Sequence, residues 1–200
     1  LEAMQERQVT LAGETRRLPD PFLVLATQNP VEQEGTYVLP EAQIDRFMLK
    51  VKVSYPSRAE EDLIVQRIAS NTKKPRVRAV ATPQDVLRAR AVLDEVYVDE
   101  LVRGYVLDLV FATREPQAHG LEKLKPMILY GASPRASIAL TQASRARAFL
   151  DGRGYVTPKD VKRVAMDVLR HRVVTTFEAE AQGLDADRIV ATLLDTVAMP

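Results

Sequence analysis

Three polar residues stand where phosphate chemistry can be done. Asn29 closes a short apolar run, Phe22 to Ala26, that switches abruptly through Thr27 and Gln28 and stops at Pro30. Its amide can donate and accept hydrogen bonds at once. Arg46 follows Asp45 at the end of a short helical stretch, and its permanently charged planar guanidinium suits phosphate oxygens better than a lysine does. Arg135 falls in the first turn of a helix that opens Ser133-Pro134, an end that already favours anions through its free N–H groups and dipole. A strand delivering an amide and a nearby helix delivering an arginine suggest a polyphosphate site. Taken singly, each residue has a plainer reading: Asn before Pro is a common turn former, Arg46 can pair with Asp45 or Glu41 at the surface, and Arg135 can be an ordinary surface arginine. Glu32 and Glu34 could do acid–base work beside Asn29, but they read as loop residues. His119 and His171 lie far apart and lack partners at metal-ligand spacing. With no cysteine in the chain, disulfides and thiolate metal sites are excluded.

The elements that must position these residues are readable from pattern. A continuous apolar run bounded by prolines predicts that Phe22–Ala26 is a strand buried on both faces, as in a parallel sheet, with polar residues at the carboxyl end where ligands bind. Met48 to Tyr55 alternates apolar and polar residues and reads as the last strand of that sheet. Before them, Leu1 to Gln8 reads as the end of a helix. Val9–Leu11, Gly13 and Thr15–Leu18 read as a hairpin whose Arg16 and Arg17 lie at an exposed edge, or else grip a partner.

The second half is helical. Ser57-x-x-Glu60 predicts a capped helix to about Ser70, followed by the basic linker Asn71–Arg78. Thr82-Pro83-Gln84-Asp85-Val86 and Thr157-Pro158-Lys159-Asp160-Val161 share a pattern that marks two helix starts, not a repeat. Asp99 caps a helix with Leu101, Tyr105, Leu109 and Ala112 as its core stripe. Gln117–Tyr130, with Gly120 and Pro126, reads as a mobile crossing. The Ser133 helix presents Ala139, Ala143, Ala146 and Leu150. The Thr157 helix carries Val161, Val164, Val168 and a structural His171. A last helix spans about Asp185 to Val197.

The balance of 28 basic and 27 acidic residues gives no global pull toward nucleic acid or anionic membrane. No apolar segment is long enough to span a bilayer. The chain begins on Leu1 within a helical pattern and contains no G-x-x-x-x-G-K-[ST] loop, which predicts a chain missing an N-terminal part. The Phe22–Ala26 strand then has an open apolar edge, and self-association or displacement of residues 1–50 is expected.

The runs Ala26-Thr27-Gln28-Asn29-Pro30, Glu32-Gln33-Glu34-Gly35-Thr36-Tyr37, Leu39-Pro40-Glu41-Ala42-Gln43 and Asp45-Arg46-Phe47, with Leu1–Arg7 and Gly131-Ala132-Ser133-Pro134-Arg135, resemble the MoxR family of AAA+ ATPases. The resemblance covers nearly the whole chain, most firmly residues 1–56 and 130–170. It implies an α/β fold followed by an all-α part: residues 1–56 as the back of the P-loop nucleotide-binding domain, and residues 57–200 as a helical lid with a linker at 71–81. It implies that Asn29 is sensor 1, that Arg46 is an arginine finger completing a neighbouring subunit's site, and that Arg135 is the lid's sensor 2. It also implies ATP and Mg²⁺ as cofactors, their main ligands lying outside this stretch, so that the isolated chain is expected to be inactive. Family members form ring oligomers, usually hexamers, and the lack of cysteine fits a reducing cytoplasm as the location. The family drives chaperone-like assembly or metal-cofactor insertion in protein clients, often with von Willebrand factor A domain proteins. Two alternatives remain open at this stage: a DNA-remodelling ring ATPase, and a non-catalytic helical interaction module.

Overall fold

The computed structural model describes residues 2–28, 39–69 and 77–200. A short helix, α1 (Glu2–Gln5), leads into an antiparallel hairpin of β1 (Gln8–Leu11) and β2 (Glu14–Arg17), with Gln8 opposite Arg17 and Leu11 opposite Glu14. Ala12 and Gly13 both have positive φ, 50° and 86°, the backbone of a two-residue turn whose twist matches its strands. Arg16 pairs with Glu14 on this exposed ribbon.

The two predicted strands of a parallel sheet are not formed. Residues 22–28 carry no strand pairing, and Leu23 and Leu25 are exposed while Phe22 and Val24 are half-buried. Met48–Tyr55 likewise pairs with no strand, and Val53 and Tyr55 are 93% and 98% exposed. A strand exists only by hydrogen bonding to a neighbour, and among the described residues no strand lies beside either segment. The second segment satisfies part of its backbone on the helical half instead: Lys50 N donates to the Asp167 carbonyl at 2.8 Å. Lys52 pairs with Asp187.

Between them lies α2 (Glu41–Ile44), which turns out into Asp45, Arg46 and Phe47 as the spacing predicts. Next come α3 (Arg58–Ile68) and α4 (Pro83–Glu95). Each starts where predicted, with the expected reciprocal cap of Ser57 with Glu60, and with a reciprocal cap of Thr82 with Asp85 where only the Thr cap was expected; yet neither contains a buried residue.

The core lies beyond α4. It is built by α5 (Glu100–Arg114), two 3-10 turns at Pro116–His119 and Glu122–Met127, β3 (Ile128–Tyr130), α6 (Pro134–Leu150), α7 (Pro158–Leu169), β4 (Val174–Thr175), α8 (Phe177–Ala181) and α9 (Ala186–Thr196). Helix α6 packs on α5 and α7, and α9 on the same two. Tyr105, Leu109, Leu140, Val161, Leu169 and Leu193 are among the fully buried side chains at the centre. Each contributes roughly 1.5–3 kcal/mol of burial. The short strands β3 and β4 pair antiparallel and tie the crossing before α6 to the chain beyond α7.

The predicted faces need three corrections. In α5, Leu101 is 68% exposed and Val102 takes its place in the core; the buried stripe runs through Val102, Tyr105, Leu109 and Ala112. In α6, Ala139 and Ala143 are buried, but Ala146 is only partly so and Leu150 is exposed. The buried face runs instead through Ala136, Leu140, Ser144 and Ala148, with Ala139 and Ala143 beside them. The crossing expected to be mobile is anchored by buried Leu121, Leu124 and Met127.

The turn between α6 and α7 is held by an ion pair. Arg153 donates to both oxygens of Asp160, at 2.8 and 2.7 Å, and Thr157 donates to the same carboxylate. Burial pulls the Asp160 carboxyl upward, but the donors from Arg153 and Thr157 outweigh it and hold it down at about 2.

Candidate functional site

The polar centre of the molecule is the turn after α2, gripped from two sides by the helical half. On one side stands the N-terminus of α6. Ser133 caps it, accepting from the Arg135 N–H at 3.2 Å, while its own hydroxyl donates to Asp45 Oδ2 at 2.8 Å. The Arg135 guanidinium reaches the same oxygen at 3.3 Å. The Asp45 carboxylate therefore lies where a helix N-terminus, a hydroxyl and an arginine all favour an anion.

On the other side stands the end of α7, with His171 and Arg172 just beyond its last turn. The Arg172 side chain is 2% exposed. Its Nε donates to Asp45 Oδ1 at 3.0 Å, and Nη2 to the carbonyls of Asp45 and Phe47 at 3.0 and 2.7 Å. Nη1 donates to Met48 O at 3.1 Å and to the Val168 carbonyl. All five donors of the fork are in use, as a buried guanidinium requires. Burial pulls the Arg172 pKa down and Asp45 pulls it back up, so the group stays charged.

His171 Nε2 lies 3.0 Å from the Phe47 carbonyl, so this nitrogen carries the proton and donates. Nδ1 is buried with no partner among the described residues. A second proton would have no acceptor there. Burial and the neighbouring Arg172 accordingly push His171 down to about 4, against the pull of the Phe47 carbonyl.

Of the predicted site residues, Asn29 lies outside the described residues, as do Glu32 and Glu34. Arg46 is half-buried and donates from Nη1 to the Ala42 carbonyl at 2.8 Å, closing the end of α2. Its neighbour Asp45 turns to Arg172 and Arg135. Arg135 has a side chain 46% exposed and shares Asp45 with Ser133. The structure thus brings the Arg46 turn and Arg135 together through one carboxylate, which the sequence offered only as a surface partner for Arg46. Arg172 was not singled out by sequence. Its only sequence signal was a basic triplet, Arg170-His171-Arg172, at the end of an apolar helix face. The partner lies too far away in the chain to be read from spacing.

Comparison with known proteins places the fold. Residues 1–49 match the model of the ATPase family associated with various cellular activities, and residues 123–193 match that of the AAA lid domain. Chaperone MoxR1 of Mycobacterium tuberculosis is 44% identical over 200 residues, all of this chain and 52% of its own length. An uncharacterized Bacillus subtilis protein, YeaC, is 38% identical over the whole chain and 60% of its own length. Protein MoxR of Methylorubrum extorquens is 29% identical, with 61% of its length covered. A crystal structure of an ATPase candidate from Cytophaga hutchinsonii superposes with a TM-score of 0.94 at 46% identity, over all of this chain and 60% of that one. The fold is therefore the back part of an AAA+ nucleotide-binding domain followed by its helical lid, α/β and then all-α. The chain spans between about half and three fifths of the length of these relatives. Its homologues are MoxR-family AAA+ ATPases, and its two matched parts are those of an AAA+ core and lid.

Proposed function

We propose that the whole protein of which this chain forms the sensor, finger and lid region hydrolyses ATP in a ring oligomer and uses the energy to remodel protein clients. The observation that carries this reading is the meeting at Asp45 of the lid residue Arg135 and the turn that bears Arg46. Phosphoryl transfer to water depends on positioning and charge neutralisation, and lid-to-core coupling is what delivers both. In this reading Asn29 orients the attacking water, Arg135 approaches the γ-phosphate from the lid, and Arg46 reaches the nucleotide of the adjoining subunit. Bound ATP with Mg²⁺ supplies the phosphoanhydride and a neutralising cation. The donor set fits such a group, since Arg135 already holds a carboxylate at a helix N-terminus.

That the mycobacterial relative is a chaperone by name favours protein clients over DNA. Assembly of partner complexes, including metal-cofactor insertion alongside von Willebrand factor A domain proteins, is the client class we assign, in a cytoplasmic hexamer. No helix among the described residues is long and apolar enough to cross a membrane. We divide the chain into a nucleotide-binding part at residues 1–56 and a lid at 57–200, joined within the lid by the linker at 71–81. The support is that the buried core begins only at Val96.

The test is ATP turnover by the whole protein, comparing the parent with Arg46→Ala and Arg135→Ala and mixing Arg46→Ala subunits with subunits unable to bind nucleotide. A finger supplied across a subunit boundary contributes ~10³–10⁵ in rate. Arg46→Ala is expected to bind nucleotide and lose turnover, with activity returning in mixed rings. Full turnover by both arginine variants would refute the proposal.

A further inference from the structure

We propose that Arg172 is a positioning residue for Arg46, an inference that rests on the finger role given to Arg46 above. The argument is geometric. One nitrogen, Nη2, holds the carbonyl oxygens of Asp45 and Phe47 at 3.0 and 2.7 Å, so the backbone is anchored on both sides of Arg46 by a single planar group. Met48 O is held from Nη1 at 3.1 Å. Anchor points at residues 45, 47 and 48 leave the backbone at 46 little freedom to turn.

The clamp is itself rigid. Arg172 Nη1 also bonds the Val168 carbonyl, one turn back, and Val168 and Leu169 are fully buried. The orientation of Arg46 is thereby referred to the lid core and not to the nucleotide-binding half alone. Asp45 closes the circuit: Oδ1 takes Arg172, and Oδ2 takes Ser133 and Arg135. Whatever shifts Arg135 acts on the same carboxylate that locks the clamp. The Arg46 turn therefore senses the lid of its own subunit while serving the neighbouring one. A lysine cannot replace this arginine. Its single nitrogen cannot span three carbonyls, whereas the guanidinium fork does so without losing further freedom.

The experiment compares Arg172→Lys, Arg46→Ala and the double variant in the whole protein, after melting curves confirm that each is folded. A misplacement of about 1 Å can cost ~10²-fold in rate. Arg172→Lys is expected to lower kcat at least tenfold while nucleotide affinity stays within about twofold. It should add nothing to the loss already caused by Arg46→Ala. A kcat within twofold of the parent, beside an inactive Arg46→Ala, overturns the inference and leaves the proposed function standing. Additive losses overturn it as well. Full activity in Arg46→Ala removes the proposed function and this inference together.

A second readout is independent of turnover. These 200 residues contain no cysteine, so in the whole protein, with any cysteine outside them replaced, a nitroxide attached through Arg46→Cys is the sole label. Its spectrum is expected to be immobilised in the parent background and to narrow with Arg172→Lys, or with Arg172→Gln if the lysine variant does not fold. Identical spectra overturn the inference.

Discussion

The guanidinium of Arg172 meets the carboxylate of Asp45 at 3.0 Å although 127 residues separate them, and their side chains are only 2% and 16% exposed. Removing one member of such a pair strands a charge in the interior, which costs more than the pair contributes. Arg172→Ala and Asp45→Ala are each expected to destabilise the chain by roughly 3–5 kcal/mol. The double variant should lose clearly less than the sum, because the two losses share one cause. Urea unfolding of the four proteins measures this, and strict additivity would contradict the coupling.

Acid should weaken the fold through the neighbouring His171. Its folded pKa of about 4 lies below the ordinary value of 6.5, so the unfolded chain binds a proton first. Its contribution is complete above about pH 6.5 and is lost as pH falls toward 4. The loss is on the order of 2–3 kcal/mol. In His171→Gln, which can still donate to the Phe47 carbonyl, that part of the stability profile should flatten. A profile of unchanged slope between pH 6.5 and 4 would show that this histidine does not carry it.

Two glycines should respond to alanine with opposite signs. A Cβ on Gly131 would stand 2.5 Å from the Thr113 carbonyl oxygen and 2.7 Å from its carbon, backbone atoms that cannot step aside. The approach is fixed by Ala132 N donating to Thr113 Oγ1 at 2.9 Å and Arg114 Nε donating to Ala132 O at 2.7 Å. Gly131→Ala should cost about 2 kcal/mol or more. Gly104, inside α5, has nothing within 4 Å of its Cβ position. Gly104→Ala should stabilise by about 0.5–1 kcal/mol. Thermal melting of both variants decides it.

Tyr105 is 2% exposed, and its hydroxyl has no partner among the described residues. Burial raises its pKa. An unsatisfied buried hydroxyl is a cost of about 1–3 kcal/mol. Tyr105→Phe should therefore be neutral or stabilising by about 1 kcal/mol. A clear destabilisation in urea unfolding would mean that the hydroxyl is satisfied.

What could be read in the sequence was local chemistry. The helix starts at Ser57, Thr82 and Thr157 depend on residues three apart, and all three helices begin there, with Asp160 accepting from Thr157 at the last. The hairpin was legible because Gly13 sits between two alternating arms. The phase of a helix face was legible to within a residue, which is why Leu101 was named where Val102 is buried. Strands at 22–26 and 48–55 were misread for a different reason: an apolar run states what a segment avoids, not which neighbour bonds its backbone. The pairing of β3 with β4 involves so few residues that no alternation precedes it. At the candidate site, Arg46 and Arg135 could be picked out by motif. Asp45 and Arg172 could not be joined, because only the folded lid brings them together.

The clamp also bears on the order in which the molecule assembles. The lid buries its own core among residues 96–197, whereas the Asp45 turn is tied to residues 88, 90 and 127 positions further along the chain. Closing loops of that length carries an entropic cost that only a preformed lid can offset. Arg172 becomes a structured fork once α7 is in place, and the 45–48 turn then docks onto it as a late event. Amides of the turn should accordingly exchange with solvent before those of α5 and α7, so that the Arg46 segment leaves the fold before the lid core does.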